Sequence, residues 1–306
     1  MSSSNPRSES FVRGVLSALK GDVRLNLWWL GQSAFLLQWK QFHLLIDPLL
    51  TQPEVVDSGN FGPERGLVVE PEDLSFMDAV LYTHRHPDHL DLATLRRLLQ
   101  VNEELTVVVP EALREEVTAG LDSPHVHLTG LEDNVSLHVG EAALTAVGAS
   151  HDQPRRDAQG RWPCLGYVIQ VGPWTLYHSG DTIFYEGLSD KLQPFSVDLA
   201  LLPISPQGPG DEPDNILSPR EAARLASSIE ARLAIPHHFG TFDFEPGLTE
   251  EFRAECTRRG QLCRVLRPGE LWSDRELEVL AEQEEKDEFP GGRFRVRGGR
   301  GEEEEL

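Results

Sequence analysis

The segment from Thr83 to Asp91 concentrates side chains that bind metal ions. It reads Thr-His-Arg-His-Pro-Asp-His-Leu-Asp, which places three imidazoles and a carboxylate within six residues. Imidazole and carboxylate are ligands of zinc and similar first-row metals, and alternate side chains of one loop can point at one ion. The alternative is a charged, solvated turn with incidental histidines. The motif and its position favour a metal site, and its candidate ligands are His84, His86, Asp88 and His89.

Three further candidate ligands follow later apolar runs of the chain. They are His151, Asp181 and His238. A metal site takes ligands from several loops, and sites in α/β proteins lie at the carboxyl ends of strands. Taken singly, each residue would be an ordinary polar residue of a loop or core. Their order and their shared position after apolar runs favour one common site.

Apolar runs bounded by Gly, Pro and Asp predict the strands that must position these residues. In the first half they are residues 25–30, 34–39, 42–46, 79–82, 105–109 and 143–147. In the second half they are residues 165–171, 174–178, 197–202 and 233–235. Helical spacing and helix start signals predict helices over residues 90–99, 110–117, 218–229 and 249–259.

The order of these elements predicts the fold class. In each half of the chain, meandering strands come first and strands that alternate with helices follow. We therefore expect an α/β fold in which two sheets pack on each other with helices outside. One domain is expected over residues 11–273. Residues 1–10, rich in Ser, predict a disordered lead, and residues 274–306, rich in Glu, Gly and Arg, predict a disordered tail.

Charge and cysteine content exclude several classes of protein. The 306-residue chain has 28 Lys and Arg against 50 Asp and Glu, a formal net charge of −22. This charge disfavours binding to a nucleic-acid backbone. Three cysteines without the close pairing of a zinc knuckle favour a reducing, cytoplasmic setting. We expect neither a signal peptide nor a transmembrane segment, because no apolar run is long enough.

The metal motif resembles that of the metallo-β-lactamase superfamily. The resemblance rests on His84-x-His86-x-Asp88-His89 and on the later His151, Gly180-Asp181-Thr182 and His238, and it covers about residues 24–272. Further segments resemble the branch that contains ascorbate-6-phosphate lactonase; they are residues 31–33, 45–48, 177–182, 201–204 and 235–240. The phospholipase D that hydrolyses N-acyl phosphatidylethanolamine is similar in its metal motif and in a His-aromatic-Gly-Thr-Phe segment.

The resemblance implies a four-layer αββα sandwich, the metallo-β-lactamase fold, with two divalent metal ions at the edge where the sheets meet. By position, one ion would be held by His84, His86 and His151. The other would be held by Asp88, His89 and His238, and Asp181 would bridge the two. We prefer His238 to His237 because the ligand of the family directly precedes an aromatic-Gly pair. Zinc is the expected metal, and manganese or iron also suit this ligand set.

This ligand set implies a hydrolase. Two divalent ions lower the pKa of a bridging water and polarise a carbonyl or phosphoryl oxygen, so that hydroxide attacks a small ester, lactone or phosphodiester. Asp88 is also the candidate catalytic residue, because it can carry a proton to the leaving group. The partner expected is a small-molecule substrate. Residues 205–217 predict a flexible acidic loop near the cleft, which disfavours a polyanionic substrate.

Other functions remain as alternatives. Phospholipase D-like hydrolysis of an N-acyl phospholipid shares the metal motif, but it would need an apolar membrane-facing patch. A non-catalytic metal-binding scaffold of the same fold would be expected to lose ligands, and all seven are present. A flavodiiron oxidoreductase would need an acid in place of His86, and a nuclease would need a basic patch.

Other polar residues near the motif have two interpretations each. Asp91 is either an acceptor for a ligand imidazole or an acid at a helix start. His178 either faces the cleft or is a core histidine, and Asp47 is interpreted as structural, holding its loop. Four further histidines are expected to face solvent; they are His43, His125, His127 and His138.

Overall fold

A first sheet of seven strands contains the predicted metal motif. The computed structural model describes residues 5–51, 67–121, 126–151, 156–206, 216–240 and 247–279. The order across this sheet is β13-β1-β2-β3-β4-β5-β6, antiparallel from β13 to β3 and parallel from β3 to β6. Its strands are β1 (Leu25–Gly31), β2 (Ala34–Trp39), β3 (Phe42–Ile46), β4 (Ala79–Leu81), β5 (Thr106–Pro110), β6 (His127–Leu131) and β13 (Leu271–Ser273).

A second sheet of six strands has the order β12-β11-β10-β9-β8-β7. Strands β10, β11 and β12 are parallel, whereas β7, β8, β9 and β10 are joined by antiparallel pairing. Two antiparallel steps separate β8 from β10, so β8, β10 and β12 all run in the same direction. The strands are β7 (Ser136–Val139), β8 (Ala142–Gly148), β9 (Leu165–Val171), β10 (Trp174–His178), β11 (Leu199–Pro203) and β12 (Leu233–His237).

Helices cover the outer face of each sheet. The α-helices are α1 (Pro6–Ala18), α2 (Leu92–Val101), α3 (Arg114–Leu121), α4 (Leu188–Leu192), α5 (Pro219–Ser228) and α6 (Leu248–Arg259). Short 3-10 helices lie at Pro71–Asp73, Glu111–Leu113 and Gln193–Phe195. The sequence specifies several helix ends: Ser218 and Glu221 form a capping box at α5, and Gly260 ends α6 with a φ of 65°.

Three apolar clusters define four layers. The central cluster lies between the sheets and joins residues such as Leu27 and Trp29 of the first sheet to Ile169 of the second. Alternate residues of the same strands, such as Trp28, pack outward against α1, α2 and α3. A third cluster joins the outer face of the second sheet to α4, α5 and α6, for example through Phe252. Both faces of the central strands of each sheet are therefore buried, and the predicted αββα sandwich is confirmed.

The ordered chain begins earlier than expected. The sequence predicts a disordered lead over residues 1–10, but α1 begins at Pro6, directly after its N-cap Asn5. Ser8 is fully buried, donates from its hydroxyl to Asp73 and accepts from the amide of Glu70. The prediction was wrong for residues 6–10 because these polar residues find partners far along the chain.

The ordered chain also continues past residue 273. Asp274 is buried and accepts a hydrogen bond from the amide of Leu25, at 3.2 Å. Leu277 belongs to the cluster between the sheets. The expected tail over residues 274–306 is therefore corrected for residues 274–279, which complete the core, while residues 280–306 lie outside the described residues.

Candidate metal centre

The metal motif lies in the loop that follows β4. The parallel neighbours β3 and β5 hold β4 in the middle of the first sheet, so the loop leaves from the carboxyl edge of that sheet. His84 and His89 are fully buried. His86 and Asp88 are half-buried. The loop thus presents two histidines to the protein interior and two ligating groups to the edge of the cleft.

The other three predicted residues follow strands of the second sheet. His151 comes after β8, Asp181 after β10 and His238 after β12. Because these three strands run in the same direction, their carboxyl ends share one edge of the sheet. That edge faces the loop after β4, and all seven residues singled out from the sequence are brought together there.

Asp181 lies at the middle of the group. Its Oδ2 atom is 3.3 Å from His89 Nε2, 3.4 Å from His238 Nε2, 3.6 Å from His151 Nε2 and 3.7 Å from His84 Nε2. At the rim, Asp88 Oδ2 is 3.3 Å from His238 Nε2. Four imidazoles therefore converge on one oxygen of a carboxylate side chain that is 2% exposed.

The donor atoms form two groups, and each group has enough ligand atoms to bind one metal ion. One group contains His84, His86, His151 and Asp181, and the other contains Asp88, His89 and His238. Within each group the ligand atoms all lie within 4.8 Å of one another. Both groups combine imidazole nitrogen with carboxylate oxygen, which is the donor chemistry that zinc, manganese and iron accept.

Several of these atoms have no hydrogen-bond partner among the described residues. They are His84 Nε2, His89 Nε2 and Asp181 Oδ1, and each is buried. Buried polar atoms are almost always paired, because an unpaired one loses its contacts with water and gains nothing in return. Unpaired nitrogen and oxygen atoms aimed at one small volume fit a site built to hold a cation.

The electrostatics keep both carboxyl groups ionised. Burial raises the pKa of Asp181, but the surrounding histidines His238, His89 and His84 outweigh it and hold that pKa well below its usual range. Burial also opposes ionisation of Asp88, and contact with His238 reverses the effect and lowers its pKa. The site therefore offers two negative charges to a bound cation.

The histidines of the site are not equivalent. Burial lowers the pKa of His84 well below its usual value, so this imidazole is neutral and keeps a lone pair. Burial also acts against the charged form of His89, but Asp181 and Asp47 outweigh it and raise the pKa. The pKa of His238 is raised in the same way by Asp181 and Asp88, against the effect of burial. Nearby carboxylates therefore favour the charged form of these two imidazoles, whereas burial favours the neutral form of His84.

Residues 43–239 match the family described as the beta-lactamase superfamily domain. This span includes every one of the seven converging residues and nearly two thirds of the chain. The chain belongs to the metallo-β-lactamase superfamily. The resemblance noted from the metal motif is thereby confirmed.

Comparisons with individual proteins agree with this membership. A UPF0173 metal-dependent hydrolase of Anaeromyxobacter sp. (strain K) is 32% identical over 254 residues, 79% of this chain and 84% of that protein. A possible metal-dependent hydrolase from Veillonella parvula has a solved structure with a TM-score of 0.66 and 20% identity, covering 82% of this chain and 99% of that one. The metallo-β-lactamase fold protein YhfI from Bacillus subtilis gives a TM-score of 0.61 at 19% identity, covering 82% and 100%.

Membership of the metallo-β-lactamase superfamily, together with the curated relatives, makes the chain a metal-dependent hydrolase. The hydrolase, metal-binding and fold predictions are confirmed at this level. Across the ranges that the structure describes, no helix combines the length and apolar character that crossing a bilayer requires.

Asp47 orients a candidate ligand as well as its loop in this member of the metallo-β-lactamase superfamily. Its Oδ1 accepts from the amide of Thr83 at 2.8 Å, and its Oδ2 accepts from the hydroxyl of Thr83 at 2.6 Å. The interpretation of Asp47 as structural is confirmed. Asp47 Oδ2 also lies 2.7 Å from His89 Nδ1, so Nδ1 carries the hydrogen and Nε2 is left as the ligand atom. Thr83 Oγ1 lies 3.0 Å from His84 Nδ1 and orients that ring in the same way.

Two alternatives of the sequence analysis are decided by contacts. Asp91 is the N-cap of α2 and accepts from the amide of Ala93, so it acts at a helix start and not on an imidazole. His178 is a buried core residue whose ring stacks on that of His237, with centroids 4.7 Å apart. His237 is not among the residues whose donor atoms converge in the two groups, and its Nδ1 lies 3.1 Å from Ser33 Oγ.

The expectation of a solvent-facing His43 was wrong. This side chain is 3% exposed, and its Nε2 lies 2.9 Å from Gln38 Nε2. Both faces of the first sheet are covered by other layers, so alternation along β3 does not bring any residue to solvent. His127 and His138 are exposed as predicted. His125 and residues 207–215 of the predicted acidic loop lie outside the described residues.

The sequence analysis missed one residue that touches the site. Gln32, in the turn after β1, donates from Nε2 to Asp88 Oδ2 at 2.9 Å. It belongs to the segment 31–33 that resembles the lactonase branch, but nothing in that segment marks an amide side chain as a neighbour of a ligand. The contact spans 56 residues of sequence and arises only when the sheets are assembled.

Proposed function

We propose that this chain is a two-metal hydrolase of small esters, lactones or phosphodiesters. In this proposal His84, His86 and His151 hold one ion, and Asp88, His89 and His238 hold the other. Asp181 bridges them. The observation that carries the proposal is the convergence of four Nε2 atoms on Asp181 Oδ2, at 3.3 to 3.7 Å.

The donor set suits the chemistry of the reaction. Divalent ions bound there would supply a water of lowered pKa and a Lewis acid for the carbonyl or phosphoryl oxygen of the substrate. Zinc suits the ligands best in this proposal, with manganese or iron as the alternatives. Asp47 and Thr83 keep the buried imidazoles His89 and His84 in the tautomers that leave Nε2 free for a ligand bond.

Asp88 is proposed to transfer the proton to the leaving group. Its side chain is 24% exposed, whereas that of Asp181 is 2% exposed, so Asp88 is the carboxylate that both the substrate and solvent can reach. Gln32 Nε2 donates to Asp88 Oδ2 and not to Asp88 Oδ1. A carboxylate held at the rim of the site can accept a proton and pass it to the departing oxygen.

The metal content of the purified protein tests the proposal first. Elemental analysis of protein freed of chelator is expected to give about two metal equivalents per chain. Asp181→Ala removes the bridging carboxylate and is expected to lower that number. Asp190→Ala removes an exposed carboxylate on α4 and should leave the metal content unchanged. Fewer than about half an equivalent in the wild type, even after refolding with zinc, manganese or iron, would show a scaffold that no longer binds metal.

Turnover tests the chemistry separately. The double variant His84→Ala with His86→Ala is expected to abolish hydrolysis of whichever lactone, ester or phosphodiester the wild type accepts in a screen. His138→Ala, at an exposed position of β7, serves as the control and should retain wild-type turnover. Unchanged activity in the double variant would contradict the proposed function.

We place this activity in the cytoplasm. Cys164, Cys256 and Cys263 form no disulfide bond, and Cys164 and Cys256 are buried. Thiols persist where the environment is reducing. Fractionation of the source cells, with the protein followed by antibody, would test the location, and recovery outside the cytoplasmic fraction would contradict it.

A further inference from the structure

The turn that joins β1 to β2 packs into the interior of the molecule. We call residues 31–33 the β1–β2 turn. Gln32 is 3% exposed and Ser33 is fully buried. Gln32 has a φ of 47°, a left-handed conformation that non-glycine residues rarely adopt. The indole nitrogen of Trp29 donates to the carbonyl of Gln32 at 2.9 Å and fixes this conformation.

The side chain of Gln32 contacts a proposed metal ligand. Its Nε2 donates to Asp88 Oδ2 at 2.9 Å. The same oxygen lies 3.3 Å from His238 Nε2 and 3.7 Å from His89 Nε2. Gln32 therefore holds the ligand oxygen of Asp88 at the point where the other two ligands of that ion meet.

The backbone of Gln32 contacts a second ligand of the same ion. The amide of His238 donates to the carbonyl of Gln32 at 3.0 Å. His238 itself has a φ of 61°, so its backbone depends on neighbours to keep a left-handed conformation. The ring of Phe239 packs on that of Trp29, with centroids 4.7 Å apart. The turn thus holds the backbone of His238, and Trp29 of β1 holds the ring of the residue that follows it.

Ser33 extends the same support to the second sheet. Its carbonyl lies 3.2 Å from His178 Nε2, and His178 Nδ1 accepts from the amide of Gly180 at 3.1 Å, next to Asp181. The acceptor role of Nδ1 leaves the hydrogen on Nε2, so His178 donates to Ser33. The hydroxyl of Ser33 lies 3.1 Å from His237 Nδ1, next to His238. One turn of the first sheet therefore holds two ligand loops of the second.

The two halves of the site differ in this support. The β1–β2 turn bonds to Asp88 and His238 directly, whereas His86 and His151 contact each other, with His151 Nε2 3.0 Å from His86 Nδ1. His84 is oriented by Thr83. A change at Gln32 should therefore act on one half of the site and spare the other.

We propose that Gln32 is a positioning residue that sets the metal affinity of the Asp88, His89 and His238 half of the site. This inference rests on the proposed two-metal function. Residues that orient metal ligands typically contribute about 10- to 100-fold in metal affinity. Gln32 is not a catalytic residue in this proposal, because it acts through Asp88 and His238.

The proposal is tested by adding Co²⁺ to the 306-residue protein after its metal has been removed with a chelator. Calorimetry and visible absorption measure the binding. Wild type is expected to bind two equivalents. Gln32→Leu keeps the size of the side chain and removes its donor. This variant should bind one equivalent of Co²⁺ with wild-type affinity and the second equivalent about 10- to 100-fold more weakly than the wild type does. At the same Co²⁺ concentration, the visible absorption of the second ion should be lost.

Two further variants make the result specific. Gln38→Leu removes another buried amide, one that bonds to Asn26, Val15 and His43 away from the site, and should leave both affinities unchanged. Gln32→Asn keeps an amide and tolerates a left-handed φ, but it falls one methylene short of Asp88. Gln32→Asn should show the same selective loss of affinity for the second equivalent. It provides the test if Gln32→Leu does not fold.

Each other outcome overturns the proposal. Equal affinities in Gln32→Leu, Gln32→Asn and wild type would show that Gln32 does not position the site. A similar loss of both equivalents would indicate general structural support rather than selective positioning. A wild type that binds fewer than two equivalents would refute the two-metal function itself and the positioning role with it.

Discussion

Asp47 shows how much one buried carboxylate contributes to this site. It is fully buried, yet its two oxygens contact the amide and hydroxyl of Thr83 and the Nδ1 atom of His89. These contacts join the end of β3 to the loop after β4 and choose the tautomer of a proposed ligand.

Asp47→Asn is expected to weaken metal binding. The side-chain NH₂ group of asparagine would point at hydrogen-bond donors of Thr83 and His89. His89 would therefore lose the acceptor that fixes its tautomer. We expect the affinity of one metal equivalent to fall by about 10- to 100-fold, measured by calorimetric titration. Asp198→Asn is the matched control, since Asp198 also accepts from a backbone amide, that of Thr175, but lies at the opposite end of the second sheet. Equal losses in the two variants would contradict a specific role for Asp47.

His43 makes the stability of the fold dependent on pH. Burial lowers the pKa of His43 below its usual value, against the opposing charge of Asp78, whose carboxylate lies 3.9 Å from Nδ1. The amide nitrogen of Gln38 donates to His43 Nε2, so a proton there would face another donor. The unfolded chain therefore binds this proton more readily than the folded chain. Neutral His43 contributes fully to the free energy of unfolding at pH values above the pKa that this residue has in the unfolded chain. The contribution is lost as the pH falls below that value.

His43→Gln should reduce this pH dependence. We expect the thermal unfolding midpoint of the wild type to fall more between pH 7.5 and pH 5 than that of the variant, because only the wild type has an imidazole here that takes up a proton more readily when the chain unfolds. His138→Gln, at an exposed position, should keep the wild-type difference. Calorimetry in chelator at both pH values provides the measurement, and identical shifts in wild type and His43→Gln would refute the assignment.

At the scale of elements, strand ends determine where the ligands lie. Strands β8, β10 and β12 run in one direction and release His151, Asp181 and His238 at one edge. Gly180 makes the turn after β10 with a φ of 56°. A Cβ atom at Gly180 would lie 2.7 Å from Thr83 Cβ, so the two sheets approach each other there as closely as a glycine permits.

Gly180→Ala is expected to destabilise the fold more than Gly187→Ala. Both positions have a positive φ, which costs an alanine about 1–2 kcal/mol. Only Gly180 adds a clash with Thr83 and with the carbonyl of Leu165, whereas a Cβ at Gly187 meets open space. Overpacking adds about 1–3 kcal/mol, measurable as a lower urea midpoint in chelator. Equal losses for the two variants would show that the close approach has no energetic cost.

At the scale of the whole molecule, the site joins the two sheets. The loop after β4 supplies His84, His86, Asp88 and His89 from the first sheet, and loops of the second supply the rest. The apolar cluster between the sheets holds them together, and hydrogen bonds such as that from the amide of His238 to the carbonyl of Gln32 also join them. Ions bound by both sets of ligands would add a polar link at the edge of that cluster.

Removing metal should therefore destabilise the molecule as a unit. A ligand that binds only the folded state stabilises it by about 2.7 kcal/mol at a concentration 100 times its dissociation constant. We expect the unfolding midpoint to fall by several degrees on chelation and to recover when metal is returned, measured by calorimetry. In Asp181→Ala the same treatment should change the midpoint far less. A wild-type midpoint that does not respond to chelation would contradict the link.

The strands were more predictable than the chain ends. The predicted ranges 34–39, 42–46, 165–171 and 174–178 match β2, β3, β9 and β10, because each is an apolar run bounded by a turn. The three-residue β13 has no such run, and it forms a strand because it pairs with β1 across the whole length of the chain. Helix α1 was missed for a similar reason, since its polar residues are buried by distant partners.

The sequence by itself determined which side chains are candidate ligands of the site. Ligand types and their position after apolar runs are local properties, so His84 to His89, His151, Asp181 and His238 could be found without a structure. Tertiary structure alone decided that His43 is buried, that Asp47 contacts His89 and that Gln32 contacts Asp88. These contacts join residues 42 and 56 positions apart, and local patterns carry no information on distances that the packing of two sheets creates.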